Sequence, residues 1–465
     1  MTRPDTSTLD RASPPTPGPG RAFRFPDFET HTLDCGLQVH LAPYPRAPMI
    51  HQLLILPGGG QQDPLDRAGL ATLTGSLMDE GTESLSALEI AQRVESLGGY
   101  LSSQADWDTI SASLGILGKH SRQGLELLAE VAARASFPAE EVERLRSQYL
   151  AELQRRRAQP SALASDALFQ ILYEGTIYAT PVIGTQKSIS TISRTEILET
   201  AQREISPHGA ALILVGDLEP ATTLPLVQET FGQWQGYRRP DSATLHPPLL
   251  GGLRIALVDR PQAPQTELWL GSVGVPRSHP DRPGLTVLNS LLGGKFTSRI
   301  NLNLRERLGI TYGASSSFSQ RRGPGPFVVA ASIDTEAVET AIQEILFEIR
   351  RLQNDLVTEE ELADTLSYLL GIFPYTLQRI EGLASRLADL ATYDLPHDYF
   401  PSYLEQIAGV SRSGLQRLAQ QHLNPEAMAI VAVGPRQAIE PQMAPFGTPS
   451  IHPATGSTDE STKDS

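Results

Sequence analysis

Apolar and polar positions along the chain follow two periods, and each period recurs in both halves. Residues 86–97 (SALEIAQRVESL) place apolar side chains at helical spacing and stop at Gly98-Gly99, which predicts an amphipathic helix. Residues 109–117 alternate as a strand does. Helices are predicted over 119–134 and 138–158, with Pro138 suited to a first turn. Residues 210–215 read as a short buried strand, and 219–233 as a helix. The second half predicts strands near 265–274, 311–320 and 325–333. Its helices are predicted near 281–292, 335–353, 358–371, 377–392 and 411–423. Strands that pair as hairpins, interleaved with helices, point to an α+β layer rather than a doubly wound sheet.

The two halves also resemble each other residue by residue. VHLAPYPRAPMIHQLLILPGGGQQDPLDRAGLATLTGSLM begins at Val39, and IALVDRPQAPQTELWLGSVGVPRSHPDRPGLTVLNSLL begins at Ile255. Each reads as a strand, a P-x-A-P turn, a second strand, a loop, and D-R-x-G-L opening an apolar helix. Asp66, Arg67, Gly69 and Leu70 match Asp281, Arg282, Gly284 and Leu285. Such a match implies a duplication. The expected organisation is a disordered segment over 1–24, a first domain over 25–236, a Pro-rich linker over 237–252, a second domain over 253–435 and a disordered tail over 436–465.

Composition narrows the function classes. The chain has 465 residues, 40% of them hydrophobic, enough for two cores. A net charge of −15 excludes a nucleic-acid partner, because nothing would neutralise phosphates. The single cysteine, Cys35, excludes a disulfide framework and a cysteine zinc site. No run approaches the roughly 18 apolar residues of a membrane span, and the polar N-terminus lacks an apolar signal core. The expectation is a soluble, cytoplasmic protein with no membrane association. None of the ten histidines pairs with another at i+3 or i+4, and His31 and His40 are expected at the surface.

Residues 67–82 (RAGLATLTGSLMDEGT) carry a flanking pattern of G-x-A, five residues, an apolar pair, two residues and G-T. This pattern resembles the pitrilysin/insulinase-type zinc peptidases, which place H-x-x-E-H in the five central positions. Two histidines at i and i+4 share one helix face and reach one zinc ion, and the glutamate activates its water. Here the five residues are Thr72, Leu73, Thr74, Gly75 and Ser76, so both histidines and the base are absent. The family's third ligand falls by resemblance on Glu152, and a nearby family glutamate falls on Leu145. The expectation is no metal on this chain, with Glu152 a remnant.

The stretch LGGKFTSRINLNLRERLGITYGASSSF (292–318) resembles a second family element, an Arg and a Tyr seven residues apart. They fall on Arg305 and Tyr312. The resemblance implies that Tyr312 donates to an oxyanion and Arg305 holds a substrate carbonyl. From the residues alone, the alternative is that Arg305 pairs with Glu306 or Asp281 and Tyr312 covers a sheet face. Some members of the family, including the mitochondrial processing peptidase, divide the labour between two chains. The resemblance therefore implies a non-catalytic, substrate-binding subunit. It would complete the active site of a homologous H-x-x-E-H partner, which would hold the zinc and cleave peptides. A structural or binding homologue without proteolysis, as in respiratory-complex cores, is the alternative. A peptidase with replaced ligands is a third.

Overall fold

The computed structural model describes residues 23–238, 245 and 247–453. Two mixed sheets of six strands organise the chain. The first contains β1 (Glu29–Thr32), β2 (Gln38–Pro43), β3 (Met49–Pro57), β4 (Tyr100–Ala105), β5 (Thr109–Leu117) and β6 (Ala211–Gly216), in the order β1-β2-β6-β3-β5-β4. The second contains β7 (Arg254–Asp259), β8 (Thr266–Val273), β9 (Thr311–Phe318), β10 (Pro326–Ile333), β11 (Ala429–Gly434) and β12 (Ser450–Pro453), in the order β12-β7-β11-β8-β10-β9.

The duplication is explicit in this topology. The run β2-β6-β3-β5-β4 repeats as β7-β11-β8-β10-β9, with a parallel first pair and antiparallel pairs thereafter. The halves differ at the outer edge, where β1 pairs antiparallel with β2 and β12 pairs parallel with β7. The α+β, mostly antiparallel architecture expected from the sequence is the one observed.

Local signals explain the individual elements. Ser86 caps the helix Ala87–Ser96 through a reciprocal capping box with Glu89, and Gly98 ends it at φ 66°. Ser193 and Glu196 cap Arg194–Glu204 in the same way. Central strands β6 and β11 are buried along their whole length, so their apolar runs show no alternation.

Each sheet packs one face on helices of its own half. Leu54, Leu114, Leu128 and Leu214 belong to one core, and Leu270, Val329, Ile345 and Leu418 to the other. The opposite faces are covered reciprocally. Helix Pro160–Leu172 of the first half lies on β8 and β11, with Ala164, Leu168 and Leu172 against Val328 and Val431. Helix Ile380–Thr392 of the second half lies on β3 and β6, with Leu383 and Leu387 against Ile213 and Val215. This exchange buries apolar surface that neither half could cover alone. Polar contacts fix the register between halves. Buried Arg321 stacks 4.6 Å from the Trp107 ring and 4.5 Å from that of Tyr178. Asp108 accepts the Arg322 N–H at 3.0 Å and the Tyr393 hydroxyl at 3.1 Å.

Two expectations are corrected. Residues 436–453, expected to be disordered, form the helix Arg436–Met443 and strand β12. Ile439 and Met443, four residues apart, bury against the second core, and the Pro/Gly content had masked them. His40, expected at the surface, is buried in β2, where burial pushes its imidazole down to about 4. His31 is partly exposed beside Glu29. Residues 1–22 of the segment expected to be disordered over 1–24, and the remainder of the tail from 454, lie outside the described residues, as does most of 239–246. Among the described residues no helix is long and apolar enough to cross a membrane.

Candidate functional site

The chain enters the degenerate helix Leu70–Ser76 through Gly69, at φ 92°. A side chain there would also collide with the Ile183 carbonyl, 2.6 Å from an added Cβ, so glycine is required twice over. Buried Asp63 accepts the Gly69 N–H at 2.9 Å and the Ala71 N–H at 3.0 Å, satisfying donors that the helix start would otherwise orphan. Burial nonetheless pushes the Asp63 carboxyl up to about 7.

The structure places each of the expected residues, and none is arranged for zinc. Thr72 is buried and donates to the Val182 carbonyl at 2.7 Å. Thr74 bonds back to the Leu70 carbonyl at 2.8 Å. Ser76 shares a 2.7 Å hydrogen bond with the Tyr149 hydroxyl. Gly75 packs against β4 so closely that a Cβ would lie 2.8 Å from the Gln104 carbonyl carbon and 2.9 Å from the Ala105 nitrogen. The helix therefore stands where a glutamate side chain has no room.

Across the cleft stands the helix Ala139–Arg157. Leu145 is buried among Leu70, Leu73 and Leu77. Glu152 is bound by both Nε and Nη2 of Arg155, at 2.7 and 2.8 Å, and that guanidinium holds its carboxyl below the usual range. A zinc site of this kind uses three anionic or imidazole ligands. The donors here are two hydroxyls already engaged and one carboxylate already paired, so they do not fit the metal.

Ser76, Leu145, Tyr149 and Glu152 do share one cleft, of about 560 Å³, closed on one side by Leu101, Ser102 and Ser103 of β4. Strand β4 is a sheet edge, and so is β9. Sequence reasoning missed Tyr149 and Asp63. Tyr149 falls on one helical face with Leu145 and Glu152, a spacing that could have flagged it. Asp63 lies six residues before Gly69 and carries no local signal.

The second element is built differently. Arg305 lies in the helical turn Leu302–Arg307, which packs against β9, and Tyr312 is the second residue of β9. Tyr312 is 90% exposed, and no described residue engages its hydroxyl. Arg305 stacks 4.4 Å from the exposed Phe296 ring. Its Nη1 is 3.5 Å from Glu306, within charge-pairing range, yet makes no hydrogen bond among the described residues. Asp281, the other partner weighed for Arg305, is engaged by His422 instead. Neither Arg305 nor Tyr312 lines the cleft beside Ser76.

Comparison with known proteins places the chain in a family. A family model described as insulinase (peptidase family M16) matches residues 45–186, and one described as peptidase M16 inactive domain matches 191–369. An uncharacterized zinc protease of Mycobacterium leprae is 26% identical over 383 residues, covering 81% of this chain and 85% of that protein. A non-peptidase homolog of Helicobacter pylori is 24% identical over 87% of this chain and 90% of its own length. A peptidase M16 inactive domain from Pseudomonas fluorescens superposes with a TM-score of 0.81 at 28% identity, covering 88% of this chain and 98% of that one. With its duplicated sheets and family matches across both halves, the chain belongs to the M16 peptidase family, as a member of the inactive type.

Proposed function

We propose that this chain is the non-catalytic, substrate-binding subunit of a two-chain zinc endopeptidase. The partner is a homologous chain with an intact H-x-x-E-H helix, which brings the zinc, two histidines and the glutamate base. This chain supplies Tyr312 as a hydroxyl donor to the developing oxyanion and Arg305 as the cation that holds a substrate carbonyl. The observation that carries the reading is the contrast between the two elements. Every side-chain hydroxyl of the helix Leu70–Ser76 is hydrogen-bonded within the fold, whereas the exposed Tyr312 hydroxyl and the buried Nη1 of Arg305 have no hydrogen-bonding partner among the described residues. A purely structural role does not account for two unpartnered donors on adjoining elements.

Peptide capture follows from the sheet edges. β4 and β9 each present one unpaired row of backbone N–H and C=O groups to an extended peptide. The Helicobacter relative named a non-peptidase homolog is consistent with a chain of this fold that does no hydrolysis itself.

Association is tested by light scattering and calorimetry with the H-x-x-E-H homologue of the same organism. The expected result is a 1:1 complex that binds an unstructured peptide more tightly than either chain alone. Two chains that stay monomeric at ~100 μM overturn the proposal.

A further inference from the structure

The fold brings together a second set of metal-ligating side chains, far from the degenerate helix. His279, Asp281 and His422 each offer one ligand atom, and these atoms lie within 4.8 Å of one another. We propose that they form a divalent transition-metal site of the zinc class, tying two helices of the second half. His279 sits in the loop after β8, Asp281 precedes the helix Arg282–Asn289, and His422 ends the helix Arg412–His422.

The donor set suits that class. Two imidazoles and one carboxylate are borderline ligands that zinc, cobalt and nickel accept and that calcium and magnesium do not favour. At about 2.0–2.2 Å per bond, tetrahedral ligand atoms stand roughly 3.4 Å apart. Separations of at most 4.8 Å close to that by side-chain rotation. The site is sheltered but reachable, since the His422 side chain is 9% exposed and that of Asp281 20%.

The duplication separates this reading from a simple ion pair. In the first half Arg67 pairs with Glu196 at 2.6 Å, and Pro64 stands at the position of His279, so that half offers no imidazole there. In the second half the pair Asp281–His422, at 2.8 Å, already ties the two helices. His279 is the third ligand a metal needs and a tie does not. Metal entry displaces the proton shared by Asp281 and His422 and costs the 3.2 Å contact from the Asp281 N–H to His279 Nδ1. Arg417, 4.0 Å from Asp281, and buried Arg282 oppose a cation and moderate its affinity.

The test uses the full chain with any affinity tag removed, dialysed against chelator and titrated with Zn²⁺ or Co²⁺ alone. The expected result is one equivalent per chain, a raised melting temperature, and the visible absorption of four-coordinate cobalt. His279→Ala leaves the Asp281–His422 pair in place and is expected to weaken binding by more than the roughly 10–100-fold that loss of an outer-shell partner costs. Glu152→Gln is expected to bind as the parent does. Absence of stoichiometric binding at ~100 μM metal overturns the proposal. So does binding that survives His279→Ala, or that is lost in Glu152→Gln, which would put the ion in the cleft beside Ser76.

Discussion

Replacing Tyr312 by phenylalanine is expected to lower kcat of the assembled two-chain peptidase by about 10²–10³ while leaving complex formation unchanged. The side chain is 90% exposed and its ring covers little of the fold, so folding does not depend on the hydroxyl. A surface change of this kind alters stability by within about 0.5 kcal/mol. The lost donor acts only where charge develops on the substrate carbonyl, so the loss appears in kcat and not in KM. Arg305→Ala is expected to act on both constants, because the guanidinium also binds the ground-state carbonyl. Arg305→Lys is expected to restore little, since a point charge does not replace the planar fork stacked 4.4 Å from Phe296. Steady-state kinetics of the mixed chains with a quenched fluorescent peptide checks all three. An unchanged kcat for Tyr312→Phe would remove Tyr312 from the chemistry.

Asp63→Ala is expected to destabilise the first half by about 2–6 kcal/mol, since it strands two buried N–H donors at about 1–3 kcal/mol each. The donors are those of Gly69 and Ala71, and Gly69 is held at φ 92° by the same contact. Asp63→Asn retains one acceptor oxygen and is expected to lose roughly half as much. The pH dependence carries a definite sign. Burial raises the folded-state carboxyl from 3.8 to about 7, so the folded chain holds a proton that the unfolded chain has released. This contribution to stability is full below pH 3.8 and is lost as pH rises through about 7. Denaturant unfolding of both variants and the parent between about pH 4 and pH 8, which spans that titration, checks the magnitude and the slope. A slope unchanged by Asp63→Asn would assign it to other carboxyls, of which Asp79 and Asp108 are also raised, each to about 6.

The duplication and the fold class were legible in the sequence because each rests on local pattern. The capped helix Ala87–Ser96 and the alternating β5 carry their own signals. What was not legible depends on distant packing. Helix Pro160–Leu172 lies against the other half's sheet, so its apolar residues spread around the cylinder and blur the period. Strands β1 and β12 are short sheet edges, ETHT and SIHP, with little apolar content. At the site, the sequence showed that Gly75 lacks a side chain but not that β4 has closed over the gap. His279 and Asp281 meet His422 across 141 residues from the aspartate, a separation that no local spacing rule detects.

The central claim is that this chain completes an active site it does not contain. The most direct measurement is peptide hydrolysis by this chain alone, by its H-x-x-E-H partner alone, and by an equimolar mixture. The account predicts no turnover by this chain, little by the partner, and a rise of at least about 10²-fold on mixing, the contribution of one oxyanion donor. A mixture no faster than the partner alone would contradict it and leave a structural homologue of the fold.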